Sequence, residues 1–382
     1  MEKIELFNEI EKLLPKYVEV LKEITEIESP TNCKEGVDKV LDCIFDKAKD
    51  LSLETERCKQ EISGDVGSVI LNPTAKLEPV VFSAHMDTVH PIGTINVNPV
   101  RIVGDLIYGP GVYDCKGGIV SSLLAIEALK NVGYTKRPIK LVLQSDEENS
   151  SVFSNKKTVE YMAKASNGAI AFLNAEGYVK GHVTTERKGI IRYEFKVSGV
   201  AAHSAYAYNG ANAIEEASYK ICKLQKFKDK EGITCNVGVI NGGTVANTVP
   251  DTCVFVADIR FKTQAELEKV KREVQKINDE ITVPNTSSTI KIVSFRPSME
   301  KLDRNYQLFD KVNAIFEKNG LERLKPRCAL GGSDAADMST YGIPTLDSLG
   351  VMGEGMHAVD ERAYVSSLVT SAKMLAIIAM EI

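Results

Sequence analysis

Val80-Val81-Phe82-Ser83-Ala84-His85-Met86-Asp87 is a short, mostly apolar run that ends on side chains able to do chemistry. A run of this length, rich in branched and aromatic residues, reads as a strand buried on both faces. Two further stretches behave alike: Leu141-Val142-Leu143-Gln144 leads into Asp146-Glu147-Glu148, and Ile170-Ala171-Phe172-Leu173 leads to Glu176. Asp114 lies in the glycine-rich stretch that opens the next helical segment. In open α/β sheets the ligand crevice lies outside the carboxyl ends of the strands, so polar residues there weigh more than the same residues elsewhere.

Outward from these runs, residues 4–27 place Leu6, Ile10, Leu13, Leu14, Val18, Leu21 and Ile24 at three- and four-residue steps, which predicts a helix bent at Pro15. A second helix is expected over 37–51, strands over 66–71 and 79–84, a helix over 118–131, a strand over 139–144, a helix over 157–165 and a strand over 169–173. This alternation predicts α/β layering. The middle of the chain changes character, with a strand over 190–197, a helix over 211–224, strands over 233–240 and 252–261, a helix over 264–281 and a strand over 288–293, in β-α-β-β-α-β order. After residue 296 a helix over 306–318, an apolar run over 342–349 and a closing helix over 361–380 restore the first pattern. The expected organisation is a discontinuous α/β domain, 1–182 with 297–382, interrupted by an inserted unit over 183–296.

Bulk properties agree with two domains: 382 residues at roughly 150 per domain, with 43% hydrophobic and 26% charged residues to build a core and a surface. A net charge of -5 offers no footprint for a polyanion, so nucleic acid is not an expected partner. Residues 1–11 mix acidic and apolar side chains and predict no secretory leader, and no apolar stretch has bilayer length. The eight cysteines form no C-x-x-C pair, which points to reduced thiols in a cytoplasm.

Taken singly, each polar residue has a plain structural explanation: His85 as a satisfied core histidine, Asp146-Glu147-Glu148 as a solvated loop, Asp114 as a helix N-cap. Gathered at one sheet edge, such carboxylates and imidazoles repel or desolvate one another unless a cation or proton neutralises them. Nitrogen and oxygen ligands without thiolate suit zinc, cobalt or manganese. Two metals about 3.5–4 Å apart call for a bridging carboxylate, and Asp114 is the natural bridge.

The stretches His85-Met86-Asp87-Thr88-Val89, Gly109-Pro110-Gly111-Val112-Tyr113-Asp114-Cys115-Lys116-Gly117-Gly118, Ser145-Asp146-Glu147-Glu148 and Gly199-Val200-Ala201-Ala202-His203-Ser204, with Gly332-Ser333-Asp334 and Met356-His357 after them, resemble a family of dinuclear zinc metallopeptidases. It includes glutamate carboxypeptidase, acetylornithine deacetylase, succinyl-diaminopimelate desuccinylase and aminoacylase, and the resemblance leans to the carboxypeptidase branch. It implies a zinc-exopeptidase-like catalytic domain with a central mixed sheet between helices and an inserted ferredoxin-like lid that also dimerises. It further implies two zinc ions (cobalt or manganese as substitutes) bridged by Asp114, one completed by His85 and Glu176 and the other by Glu148 and His357. Asp87 would orient His85 through its far nitrogen, and Glu147 would be the general base.

From the other subunit of a homodimer, His203 would stabilise the oxyanion; by itself it reads as a loop histidine. Arg260 would bind the substrate carboxylate, Asn247 would contact substrate, and Gly332 and Ser333 would line the pocket. Without the resemblance Arg260 is a surface arginine and Asn247 a turn residue. A cis peptide is implied at Asp114-Cys115. Two local departures stand out: Glu176 is followed by Gly177-Tyr178 where many relatives have proline, and Ala335-Ala336 stands where asparagine is frequent. His182 is expected to be solvated, and His90 is a rival ligand at a position where relatives vary. The reaction implied is hydrolysis of the amide bond of a C-terminal or N-acylated amino acid. Alternatives are an N-acyl amino acid deacylase, a di- or tripeptidase, or a non-catalytic metal-binding protein, against which the presence of Glu147 argues.

Overall fold

The strand Val80–His85 is buried along its whole length and sits within a six-stranded sheet of the computed structural model, which describes residues 3–227, 229 and 232–382. The strand order is Glu54–Cys58, Val66–Leu71, Ile139–Gln144, Val80–His85, Ala171–Asn174, Thr345–Leu346. The last four run parallel and the first two are added antiparallel. Alternate side chains serve opposite faces. Val80, Phe82 and Ala84 join the core formed with helices Lys3–Glu26, Gly117–Asn131, Asp303–Lys318 and Ser366–Glu381, whereas Val81 joins Val142 and Phe172 against helices Lys157–Ala165 and Asp334–Thr340. Cover on both faces explains why these strands read as unbroken apolar runs.

Helix Gly117–Asn131 is buried continuously from Gly117 to Leu129. It approaches the loop after strand Ala171–Asn174 so closely that a Cβ on Gly118 would lie 2.1 Å from the Ala175 carbonyl oxygen, a contact only glycine permits. Helix Lys3–Glu26 continues through Pro15.

The apolar run over 342–349 contains the two-residue strand Thr345–Leu346, which joins the sheet. One expectation fails near the C-terminus. The closing helix starts at Ser366 instead of 361, because Arg362–Tyr364 pairs antiparallel with Leu106–Tyr108 in a separate four-stranded sheet completed by Gly353–Glu354 and Arg101–Val103. Ser366 donates its backbone N–H and its hydroxyl to Asp105, fixing the helix start.

The chain divides into two compact units, Met1–Glu186 with Lys301–Cys328 and Ser333–Ile382, and Arg187–Glu300 with Ala329–Gly332. The boundaries expected at 182/183 and 296/297 thus fall at 186/187 and 300/301, since residues 182–186 pair with the strand beginning at Lys325 and stay with the first unit. Residues 329–332 carry no local signal of belonging to the second.

In the second unit an antiparallel sheet runs Thr234–Gly242, Thr252–Phe261, Gly189–Ser198, Ser287–Arg296. With helices Ala213–Leu224 and Gln264–Asp279 this is the β-α-β-β-α-β order. Ile191, Tyr193, Phe195 and Val197 stand directly opposite Ile259, Ala257, Phe255 and Cys253 in its core, the Phe195 and Phe255 rings stacking at 4.6 Å. Asn212 and Thr263 cap the two helices, Asn212 accepting the N–H groups of Ile214 and Glu215 and Thr263 that of Glu266. Among the described residues no helix is long and apolar enough to cross a membrane, and all eight cysteines are free.

Candidate metal centre

Three neighbouring parallel strands end at one place. Val80–His85 ends on His85 itself, Ile139–Gln144 turns into Glu147 and Glu148, and Ala171–Asn174 is followed by Glu176. Asp114 enters from the segment Val112–Lys116 and His357 from the loop before Arg362–Tyr364. Asp114 Oδ1 lies 3.0 Å from His85 Nε2, and Asp114 Oδ2 lies 3.0 Å from His357 Nε2. Glu176 Oε1 stands 3.5 Å from His85 Nε2, and Glu148 Oε2 stands 3.3 Å from His357 Nε2. The ligand atoms therefore form two groups sharing Asp114, and within each all lie inside 4.8 Å of one another. The Asp114–Cys115 peptide is cis.

Asp87 is fully buried, and its carboxylate accepts the N–H of Glu147 and of Glu148, each at 3.1 Å, and the Thr31 hydroxyl at 2.7 Å. The expected bond from the far nitrogen of His85 goes first to the Asp87 main-chain carbonyl, at 2.9 Å, with the carboxylate at 3.5 Å. Either acceptor leaves Nε2 unprotonated in the neutral ring and free to bind a cation.

Charge in the cluster is poorly balanced by protein alone. Burial and the nearby Asp114 push Glu176 well above the usual carboxylate range, and burial raises Glu148. Hydrogen bonds to Asp114 and Glu148 push His357 up to about 10. Burial works against a charged His85, yet hydrogen bonds to Asp114 and Asp87 and the nearby Glu176 outweigh it and raise the ring well above its ordinary value. Asp114 goes the other way: burial opposes its charge, but His357 and His85 hold it below its ordinary value. Glu148 Oε1 is buried without a hydrogen-bond partner. An orphaned carboxylate oxygen among crowded acids and imidazoles is what a divalent cation would relieve, so the donor set fits a metal. Cys115 falls geometrically within the first group, but its thiol donates to the Ala175 carbonyl at 3.1 Å and burial keeps it protonated.

Residues 81–381 match the model of peptidase family M20/M25/M40. The chain belongs to that family. Carboxypeptidase G2 of Pseudomonas sp. (strain RS-16) is 27% identical over 359 residues, 92% of this chain and 85% of that protein. A succinyl-diaminopimelate desuccinylase of Nitrosospira multiformis is 26% identical over 370 residues, 89% and 91% of the two chains. Among solved structures, a tripeptidase of Staphylococcus aureus is similar with a TM-score of 0.79 at 21% identity, covering 96% of this chain and 98% of that one. The aminopeptidase PepT of Bacillus cereus has a TM-score of 0.78 at 22% identity with the same coverage. These structures share the mixed α/β fold. Members of the M20/M25/M40 family are metal-dependent, and this member is a hydrolase of peptide or amide bonds.

In this M20/M25/M40 chain the remaining site residues are distributed as follows. Glu147 is buried beside Glu148, its own N–H held by Asp87. Ser333 is fully buried, donating its hydroxyl to Asp347 at 2.5 Å and accepting the Ala335 N–H as the cap of a helix. In the second unit His203 is exposed, its Nδ1 accepting the Ala205 N–H, and Ser204 donates its N–H to the Asn247 carbonyl, so His203 and Asn247 are neighbours. Arg260 is held by Asp258 through Nε at 2.6 Å and Nη2 at 3.3 Å, and Asp258 also takes Arg192 Nε at 2.8 Å. Gly332 packs on Arg296, where a Cβ would lie 2.6 Å from Cδ. His182 is not simply solvated, since Nδ1 lies 3.0 Å from the Lys180 carbonyl.

Sequence reasoning missed Glu361 and Thr31. His90, a rival ligand on paper, instead points its Nε2 at Glu361 Oε2, 2.6 Å away. Neither missed residue follows an apolar run: the only signal for Glu361 was its place four residues after His357, and Thr31, in the turn between the first two helices, carried none.

Proposed function

We propose that the protein is a two-zinc exopeptidase of glutamate carboxypeptidase type, removing a C-terminal or N-acylated amino acid. The observation that carries this reading is Asp114, whose two oxygens each lie 3.0 Å from Nε2 of a different histidine. Asp114, His85 and Glu176 would hold one ion, and Asp114, Glu148 and His357 the other. Bound there, the ions supply Lewis acidity that polarises the scissile carbonyl and makes water acidic. Glu147 takes the proton of the attacking water and returns it to the leaving nitrogen. Asp87 holds the backbone of Glu147 and Glu148 so that base and ligand keep their places.

In the inserted unit, Arg260 would grip the substrate carboxylate with its guanidinium, preset by Asp258. His203 and Asn247 would contact substrate, with His203 donated by the partner of a homodimer; its exposure beside Tyr206 and Tyr208, 58% and 81% exposed, supports such a role. Gly332 and Ser333 would shape the pocket wall. Eight free thiols favour the cytoplasm, with no nucleic acid or membrane partner.

An N-acyl amino acid deacylase is the second reading, favoured by the likeness to the desuccinylase. Turnover of a panel of N-acyl amino acids and dipeptides by zinc-loaded protein, beside Glu147→Ala, separates the readings. Hydrolysis of acyl-glutamate or similar substrates that the variant loses while retaining metal supports the carboxypeptidase. Preference for acetyl or succinyl groups supports the deacylase, and metal binding without any turnover overturns both.

A further inference from the structure

Glu361 lies in a loop whose preceding residues Val359 and Asp360 face solvent, yet it is itself only 1% exposed. Every acceptor direction of its carboxylate is used. Oε1 accepts the N–H of Tyr113 at 2.8 Å and of Asp114 at 3.0 Å. Oε2 accepts the N–H of Gly111 at 3.1 Å and Nε2–H of His90 at 2.6 Å. Its main-chain carbonyl takes the Gly109 N–H at 3.2 Å and Asn98 Nδ2 at 3.2 Å. Gly111, with φ of +80°, turns the loop so that these amides converge on one anion, and a Cβ there would meet Thr88 Cγ2 at 2.6 Å.

Three separate chain segments meet at this carboxylate: the one carrying His85 through His90, the one carrying Asp114, and the one carrying His357, four residues before Glu361. Asp114 must present one oxygen to each histidine, and its backbone N–H is one of the groups Glu361 holds. We propose that Glu361 and His90 form a clasp that positions Asp114 between the two histidines, Glu361 being a positioning residue that touches neither metal nor substrate. This rests on the reading of Asp114 as the ligand shared by two ions. Groups that orient metal ligands commonly change metal affinity about 10–100-fold when altered, without being ligands themselves.

Glu361→Gln is the decisive variant, because it keeps size and shape and can retain one carbonyl oxygen for the Tyr113 and Asp114 amides while turning an NH2 toward the Gly111 N–H. Chelator-stripped wild type, Glu361→Gln, His90→Leu, His90→Gln and Asp114→Asn are titrated with Co2+, read by calorimetry and by the visible Co2+ spectrum, and metal-free melting is recorded for each. The expected result is an affinity loss of about 10–100-fold and an altered bound spectrum for Glu361→Gln, whether or not metal-free melting falls. His90→Leu behaves likewise, and His90→Gln, which keeps a donor, recovers part of the affinity. Wild-type affinity and spectrum in both Glu361→Gln and His90→Leu overturn the clasp. So does a loss that follows lowered melting while the bound spectrum stays that of wild type. If Glu361→Gln does not fold, the two His90 variants decide by the same criteria. Failure of wild type to bind two ions, or unchanged binding by Asp114→Asn, instead overturns the metal-centre reading beneath the proposal.

Discussion

The Nδ1 of His85 lies 2.9 Å from the main-chain carbonyl of Asp87, two residues on, while the Asp87 carboxylate is spent on the Glu147 and Glu148 amides and on Thr31. Asp87 thus orients His85, the proposed ligand, with its backbone and the loop of Glu147, the proposed base, with its side chain. Asp87→Ala should therefore disturb the Glu147–Glu148 turn more than the His85 ring. We expect metal affinity to fall about 10–100-fold, measured by chelator competition, and kcat to fall further than metal reloading restores. Full kcat at saturating metal would refute the second role.

Metal binding should release protons. In the metal-free protein His357 is pushed up to about 10 by Asp114 and Glu148, so at about pH 7.5 its ring must lose a proton before a cation can bind. Affinity is then expected to rise with pH until about 10 and to gain nothing more from His357 above it. Calorimetric titrations in two buffers of different ionisation enthalpy give the proton count; zero release at neutral pH would contradict the raised value. Stability of the metal-free fold carries the opposite sign, because a raised folded pKa stabilises fully below the unfolded value of 6.5 and the gain is lost as pH rises through about 10.

Gly118→Ala should loosen the centre from behind. The added Cβ meets the Ala175 carbonyl at 2.1 Å, next to Glu176, and the overpacked helix must shift. A loss of about 1–3 kcal/mol in urea unfolding is expected, together with weaker metal binding. A variant of wild-type stability would mean that the helix moves freely there.

Within the inserted unit Lys220 is wholly buried, 3.1 Å from Glu216 and donating to the carbonyls of Ile277, Asn278 and Glu280. Glu216 in turn accepts the Thr282 and Val283 amides. Lys220→Met leaves that carboxylate buried without its cation, which should cost about 3–5 kcal/mol. Denaturant unfolding monitored on this unit checks the value, and Glu216→Gln placed on top should recover part of it.

Much of the cluster was legible before any fold was known, for a local reason. His85, Glu148 and Glu176 each follow an apolar run, and a buried strand that ends in a polar residue announces where that residue emerges. Glu361 had no such herald. Its significance depends on Arg362–Tyr364 pairing with Leu106–Tyr108, some 250 residues earlier, and a periodicity window sees no partner at that distance. The same blindness produced the helix expected from 361. Domain edges slipped for a related reason, since residues 182–186 owe their place to the strand beginning at Lys325.

Because His85, Glu147–Glu148 and Glu176 come from three adjacent strands, the sheet itself serves as a measuring rule. Neighbouring strands stand about 4.7–4.9 Å apart, close to the 4.8 Å within which the candidate ligand atoms of each group lie. A shift of one residue in the pairing of Val80–His85 would turn His85 to the opposite face. Strand register thus sets where these segments leave the sheet, and the loops beyond, held at Glu147 and Glu148 by Asp87 and at Asp114 by Glu361, carry the side chains the remaining distance, so a change of loop length there would move the cluster even with the sheet intact.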